Sequence, residues 1–275
     1  MSQSPAPPRA GDRRPADRGT SDPDGVPPAA PTVALVVIGD EILTGKFPDQ
    51  NTPWLVRRLR ELGLDLVRAS VIRDDVAGIA AEVRLSLERA DWVITTGGVG
   101  PTHDDLTMAG IAEALGVQLE RRPELVEVLR RRMGDRLTDD ALRMADVPAG
   151  AELWWEADVF FPQVVAGRVL AFPGVPPLLQ VKFDAIAHRL GGRPMLSRSL
   201  HTAAAEAAIA STLREAQQRW PSVAIGSYPR YETRPWTVTV ILDSRDRPAL
   251  DACEAWLRSS LAADLLPDDA STGPG

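Results

Sequence analysis

The sequence contains only one cysteine, Cys253, and three histidines among its 275 residues. A single thiol excludes an intramolecular disulfide framework and any zinc site built from several cysteines. Positive charge is also in short supply, because 38 Asp and Glu outnumber 31 Lys and Arg and give a net charge of −7. No basic field attracts nucleic acid or anionic lipid, so we expect a small-molecule ligand, no nucleic acid and no membrane.

Long apolar runs are missing as well. No stretch approaches the roughly 20 apolar residues of a membrane-spanning helix, and the N-terminal region lacks the apolar segment of a secretory signal. These absences and the single thiol predict a cytoplasmic protein that is not exported. Residues 1–31 contain eight prolines and almost no large aliphatic side chains, so they cannot offset their ordering entropy. We predict disordered tails at residues 1–31 and 267–275.

The remaining chain alternates between strand-like and helix-like patterns. Residues 32–38, 64–72 and 91–96 are apolar and β-rich, and amphipathic helical patterns separate them. This βαβαβ order predicts an α/β fold whose mostly parallel sheet is covered by helices. The first helix is expected to begin with Asn51 as its N-cap, because an Asn side chain accepts hydrogen bonds from the free N–H groups there.

Two unequal domains are predicted. The main domain spans residues 32–190, and the glycines and proline of residues 191–194 predict a boundary. Beyond it, helical patterns at 203–220 and 249–261 enclose two strand-like runs at 223–228 and 236–242. Residues 197–266 are therefore expected to form a small α+β domain.

The segment 95–107 carries the strongest indication of a binding site. Its glycines, Gly97, Gly98 and Gly100, permit positive φ and close backbone approach, so N–H groups can point at a phosphate. Thr102 and Thr107 can add hydroxyl donors. The paired carboxylates Asp104 and Asp105 would repel phosphate unless a cation intervenes or one of them caps the following helix. Metal binding and capping both stay open.

A second polar loop follows the first strand, so both loops should meet at the carboxyl edge of the sheet. Asp40 or Glu41 can orient water on a metal or bind the edge of a ribose or pterin; alternatively, Glu41 is a solvated charge and Gly45 a turn residue. Residues 172–176 form a rigid wall or, as we favour, only a helix entry. Since no Ser-His-Asp spacing, P-loop lysine or GxGxxG is present, water is the expected nucleophile.

Other chemically distinctive residues have weaker indications. His103 lies inside the glycine loop, but a single surface histidine is usually neither catalytic nor a metal ligand. The aromatic pairs Trp154-Trp155 and Phe160-Phe161 are more typical of core packing or a partner surface than of ring stacking on a ligand. Cys253 is expected to pack inside the small domain.

Together these motifs resemble the molybdopterin-binding-like domain family. Within it, the chain is most similar to the N-terminal domain of competence/damage-inducible protein A and to the matching domain of eukaryotic FAD synthases. The resemblance spans residues 32–190, and residues 226–229 resemble the small domain that follows. The matching motifs are Gly39-Asp40-Glu41-Ile42-Leu43-Thr44-Gly45, Asn51-Thr52, Thr96-Gly97-Gly98-Val99-Gly100-Pro101-Thr102-His103-Asp104-Asp105-Leu106-Thr107 and Phe172-Pro173-Gly174-Val175-Pro176.

The resemblance implies a three-layer α/β/α sandwich and a set of site residues. The branch is associated with metal-dependent hydrolysis of ADP-ribose-like or dinucleotide pyrophosphates, whereas better-known relatives bind and adenylylate molybdopterin. The catalytic residues that the resemblance implies are Asp40, Asp104 and Asp105. Asp104 and Asp105 are also expected to bind a divalent metal ion (Mg, Mn or Co), and a monovalent cation can accompany it. The expected ligand-binding residues are Gly39, Glu41, Thr44, Gly45, Asn51, Thr96, Gly97, Gly98, Gly100, Pro101, Thr102, Thr107, Pro173 and Gly174.

Three functions fit these observations. The first is a divalent-metal-dependent nucleotide pyrophosphatase acting on an ADP-ribose- or FAD-like substrate, and the second is a non-catalytic molybdopterin- or nucleotide-binding protein linked to molybdenum cofactor biosynthesis. The third is a structural oligomer with Trp154-Trp155 in its contact; a homo-oligomer is expected in any case. No amidohydrolase domain follows, so deamidation of nicotinamide mononucleotide is not expected. Residues 160–163 depart from the family's Gly-Thr-Ala-Pro-Gly segment and leave the substrate open.

Overall fold

A computed structural model describes residues 30–157, 159–230 and 237–267. These residues form two compact units that divide between Gly192 and Arg193. The predicted tails fall outside the described residues, except for residues 30, 31 and 267. Among the described helices, none is long and apolar enough to cross a bilayer.

The first unit contains eight strands and seven α-helices among its described residues. The strands are β1 (Thr32–Ile38), β2 (Asp65–Ile72), β3 (Trp92–Thr96), β4 (Leu119–Arg121), β5 (Asp146–Pro148), β6 (Glu152–Trp154), β7 (Gln163–Ala166) and β8 (Val169–Phe172). The helices are α1 (Asp40–Leu43), α2 (Asn51–Leu62), α3 (Val76–Arg89), α4 (Thr107–Leu115), α5 (Pro123–Met133), α6 (Asp139–Leu142) and α7 (Pro176–Ile186).

Six of these strands form the central sheet in the order β2-β1-β3-β8-β7-β6. Strands β2, β1, β3 and β8 run parallel, while β7 and β6 are antiparallel to their neighbours. Every residue of β1 after Thr32 is buried, as expected for a central strand covered on both faces. Alternate residues of β1, such as Leu35 and Val36, enter two separate hydrophobic clusters. The predicted three-layer sandwich with a mostly parallel sheet is confirmed.

The N-terminus of α2 differs from the prediction. Asp49, not Asn51, receives the free N–H groups: its Oδ1 accepts hydrogen bonds from the backbone N–H groups of Asn51 and Thr52, both at 3.0 Å. Asn51 is already the first residue of the helix. Its side chain is therefore available for another role.

The second unit combines a three-stranded antiparallel sheet with two helices. The strands, in the order β10-β11-β9, are β9 (Leu196–Thr202), β10 (Ala224–Arg230) and β11 (Thr237–Ser244), and the helices are α8 (Glu206–Arg219) and α9 (Arg247–Ser260). Sequence reasoning missed β9, because its exposed serines and half-buried arginine hide the apolar pattern. Cys253 is fully buried in this unit's core, where burial raises the pKa of the thiol. The predicted small α+β unit is present.

Lys182 on α7 places its ammonium in a largely apolar environment. The Nζ atom donates hydrogen bonds to the carbonyl oxygens of Phe161 (2.9 Å) and Pro162 (2.8 Å) and lies 5.4 Å from the Phe161 ring centroid. Burial lowers the pKa of Lys182 to about 8. The folded protein thus loses this proton well before the unfolded chain does.

We expect the stability of the wild type relative to a Lys182→Met variant to rise between pH 7 and pH 9.5. In this window the unfolded chain binds more protons at position 182 than the folded protein, so folding becomes more favourable as pH rises. The increase in the free energy of unfolding should lie between about 1 and 3 kcal/mol. We expect a value nearer the lower limit, because the side chain is partly exposed and solvent screens its charge. Urea denaturation of both proteins at the two pH values measures it; a constant difference would contradict the buried charge.

Candidate functional site

The carboxyl ends of β1, β3 and β8 converge at Gly97. The Gly97 N–H donates to the carbonyl oxygen of Phe172 at 3.1 Å. A Cβ atom at Gly97 would lie 2.0 Å from the carbonyl oxygen of Ile38, and a Cβ at Gly174 would lie 3.2 Å from Gly97 Cα. Gly97 has a φ of +104°, which favours glycine. Only glycines allow the three backbone segments to approach this closely.

Asp105 organises the loop that follows. One carboxylate oxygen accepts from the Gly100 N–H (2.7 Å), and the other accepts from both the N–H (2.7 Å) and the hydroxyl of Thr102. Thr107 is fully buried, and its hydroxyl donates to the carbonyl oxygen of Gly97 at 2.8 Å. Helix α4 has no side-chain N-cap, so Asp105 closes the turn before the helix rather than capping the helix itself.

Within residues 97–100, two backbone N–H groups remain open. The N–H groups of Gly97 and Gly100 already have acceptors within the fold. Within the described part of the chain, the N–H groups of Gly98 and Val99 have no acceptor, and both residues line a pocket. The structure thus narrows the possible phosphate cradle to two consecutive amides.

Asn51 joins three segments beneath this loop. Its Nδ2 donates to the carbonyl oxygen of Gly174 (2.7 Å) and to the hydroxyl of Thr96 (3.0 Å), which in turn donates to the carbonyl oxygen of Pro173 (3.1 Å). The side chain is buried, and its Oδ1 has no partner among the described residues. Asn51 therefore fixes the wall formed by residues 172–176 against the strand that precedes the glycine loop.

The pocket has a volume of about 580 Å³. The glycine loop lines one part of it, and a largely apolar part comes from residues 42–51 and 173–178. The sequence-predicted residues that line it are Glu41, Asn51, Thr96, Gly97, Gly98, Gly100, Asp105, Pro173 and Gly174. The predicted residues Gly39, Asp40, Thr44, Gly45, Pro101, Thr102, Asp104 and Thr107 do not line it. Lining residues that the sequence reasoning missed include Phe47, Asp49, Gln50, Met144, Val175 and Leu178.

Four carboxylates form an acidic group beside the glycine loop: Asp40, Glu41, Asp74 and Asp104. Burial raises the pKa of Asp74, and the negative charges of Glu41, Asp40 and Asp104 raise it further. Its Oδ2 accepts from the Asp40 N–H at 2.9 Å. Sequence reasoning missed Asp74, although it follows β2 at the same edge of the sheet.

Asp40 itself is already paired. Arg73 donates two hydrogen bonds to its carboxylate, at 3.0 and 2.9 Å, and this arginine holds the pKa of Asp40 below its usual value. Asp104 is exposed. Within the described ranges, no three His, Cys, Asp or Glu side chains are placed to share one metal ion. A protein cage for a metal does not fit this site.

The remaining aromatic and histidine candidates lie outside the pocket. Trp154 is buried and packs edge to face on Trp92, with ring centroids 6.2 Å apart, in agreement with core packing. Trp155 and Phe160 are exposed beside arginines of α5. The side chain of His103 is 96% exposed, and its Nδ1 lies 4.0 Å from Asp104.

A parallel α/β sheet with a glycine loop and a pocket at its carboxyl edge defines a ligand-binding α/β domain. A family model described as a probable molybdopterin binding domain matches residues 34–216, and one described as the middle domain of FAD synthase matches residues 194–270. The chain belongs to the molybdopterin-binding domain family. This confirms the resemblance that the motifs indicated.

Individual relatives agree with the family match. A probable FAD synthase of Caenorhabditis elegans is 31% identical over 268 residues, which cover 87% of this chain and 51% of the relative. A CinA-like protein of Anaeromyxobacter dehalogenans is 43% identical over 151 residues, which cover 52% of this chain and 37% of the relative. The chain thus spans about half or less of these two relatives.

One solved structure supports the fold of the first unit. The protein CinA, of unknown function, from Thermoplasma acidophilum has a TM-score of 0.54 and 28% sequence identity, and the match covers 58% of this chain and 99% of that protein.

Proposed function

We propose that the pocket binds a nucleotide pyrophosphate of the ADP-ribose or FAD type and hydrolyses it with the aid of a divalent ion. The observation that carries this proposal is the pair of open amides at Gly98 and Val99 beside four carboxylates. The amides suit a phosphate, whereas the carboxylates oppose one unless a cation is present. The FAD synthase relationship favours a dinucleotide, because FAD contains a pyrophosphate.

The acidic group suits a cation that arrives together with the phosphates. Magnesium is commonly held by one or two carboxylates plus ligand phosphates and waters, and it needs no protein cage. Among the described residues, Asp40 has an arginine partner, whereas none is seen for Asp104, Asp74 or Glu41. A bound divalent ion would supply the positive charge that offsets the pyrophosphate and activates water.

The chain's own residues then have distinct tasks. The open amides of Gly98 and Val99 bind phosphate oxygens, and Asp105 holds those amides in position through its hydrogen bonds to the loop. Asn51 holds residues 172–176 in place through its hydrogen bond to the Gly174 carbonyl oxygen. Water attacks one phosphorus and the bond to the bridging oxygen breaks, so ADP-ribose yields AMP and ribose 5-phosphate, and FAD yields AMP and FMN.

Binding without turnover is the second candidate. It is favoured by the absence, among the described residues, of three side chains that converge on a metal. In that case the same amides hold a nucleotide or molybdopterin phosphate, and the acidic group only limits which anions enter. The two candidates differ in products, not in ligand binding.

The test combines ligand binding with product analysis. We expect magnesium or manganese to tighten binding of ADP-ribose by at least about tenfold, and the ligand to tighten metal binding equally. An Asp104→Asn variant should lose most of this coupling yet retain the fold. Calorimetry with and without chelator measures the coupling, and chromatography detects AMP. If metal and ligand bind cooperatively but no AMP forms, the protein binds the nucleotide without hydrolysing it. If ADP-ribose, FAD and molybdopterin all fail to bind, both candidate functions are rejected.

A further inference from the structure

Phe47 is an exposed aromatic side chain that lines the pocket. It lies between α1 and α2 and is 55% exposed. Among the described residues, its one close ring contact with a cation is Lys46, whose Nζ lies 5.7 Å from the ring centroid. An exposed phenylalanine on a pocket wall offers a flat apolar surface that a ligand can cover.

Two further exposed apolar side chains line the pocket. Val175 and Leu178, at and after the entry to α7, are 54% and 56% exposed and line the same pocket. Together with Phe47 they form what we call the apolar arm. Such unburied side chains around one concavity are typical of sites that bury the apolar part of a small ligand.

The size of the pocket requires more than a phosphate. Its volume of about 580 Å³ is within the range of pockets that hold complete small-molecule ligands. The open amides of Gly98 and Val99 and the apolar arm line the same pocket. A ligand whose phosphate binds these amides therefore has apolar surface within the same pocket for its remaining part.

We propose that the apolar arm binds the flat heteroaromatic ring of the nucleotide, with Phe47 as its stacking partner and specificity-determining residue. This inference rests on the proposed phosphate cradle, because the phosphate fixes where the ring falls. It excludes ring-free sugar phosphates and inorganic pyrophosphate as preferred ligands. A purine and a flavin share the required chemistry, and Lys46 adds a positive charge beside the stacked ring.

Matched ligands test the inference directly. AMP and ribose 5-phosphate carry the same sugar phosphate and differ in the adenine ring, and FMN supplies the flavin instead. Calorimetry should give at least about tenfold tighter binding of AMP or FMN than of ribose 5-phosphate to the wild type. Phe47→Ala should remove most of that advantage and leave ribose 5-phosphate unchanged, while Phe47→Trp should retain it.

A substitution of an exposed apolar residue outside the pocket is the control for indirect effects of Phe47→Ala on ligand binding. Leu43 is 50% exposed and does not line the pocket, so Leu43→Ala should bind all three ligands as the wild type does. If Phe47→Ala keeps the full preference for AMP and FMN, or weakens all three ligands equally, the ring site is wrong and the cradle stands. If the wild type binds none of the three, the cradle and the ring site both fail, and the binding of ADP-ribose and FAD then decides the proposed function.

Discussion

Replacing Gly97 by alanine should lower the free energy of unfolding by roughly 3–5 kcal/mol and abolish binding of phosphate ligands. The added Cβ would lie 2.0 Å from the carbonyl oxygen of Ile38, a backbone atom of β1 that has no alternative position within a buried strand. The φ of +104° adds strain for any residue with a side chain. Relief requires β1 and β3 to separate at the edge where the glycine loop begins.

Gly116→Ala is the matched control. Gly116 also has a positive φ, of +70°, but apart from its chain neighbours no heavy atom of the described residues lies within 4 Å of the position of its Cβ. Alanine there should cost only the strain of a left-handed residue, about 1–2 kcal/mol. Urea denaturation of both variants gives the comparison, with calorimetry of the folded proteins for ligand binding. Equal losses of stability would mean that the close approach at Gly97 does not exist.

Much of the fold was predictable because buried strands leave a clear pattern. The predicted strand at residues 32–38 matches β1 at both ends, since an apolar run ends at a Gly-Asp-Glu turn. The polar sequence of β9 gave no such indication, because one of its faces is exposed. The short strands β4 and β5 depend on each other for pairing, and local sequence does not reveal such a partner.

The site was predictable in position and less so in detail. Parallel strands place their carboxyl ends together, so the two polar loops were expected to meet. Local sequence patterns could not show that the Asn51 side chain donates a hydrogen bond to Gly174, or that Asp49 accepts hydrogen bonds from the N–H groups at the start of α2. The same limit concealed Asp74, whose environment arises from residues about 30 positions away in both directions. Phe47 was missed because one apolar residue in a loop has no periodicity.

Asp105→Asn should weaken binding of phosphate ligands by about 100-fold, with or without metal. Both carboxylate oxygens accept hydrogen bonds, from the N–H of Gly100 on one side and from Thr102 on the other. An asparagine at position 105 has one acceptor oxygen, so it can replace the hydrogen bond to Gly100 or the one to Thr102. Its NH₂ group then faces the other N–H donor, and that part of the loop must move away. The loss of hydrogen bonds to a charged group, about 1.5–3 kcal/mol, corresponds to roughly 10–150-fold in affinity if the loop must be reordered on binding.

Asp104→Asn separates this loop function from metal binding. The Asp104 side chain is 65% exposed, so its replacement should change the free energy of unfolding by no more than about 0.5 kcal/mol. Without metal it should bind AMP at least as tightly as the wild type, because one carboxylate that opposes phosphate is neutralised, whereas Asp105→Asn should lower both the stability and the affinity for AMP. Calorimetry with AMP under chelator, together with urea denaturation, distinguishes the variants. Normal metal-free binding by Asp105→Asn, with loss of only the metal-dependent increase, would instead make Asp105 a metal ligand and overturn its assignment to the loop.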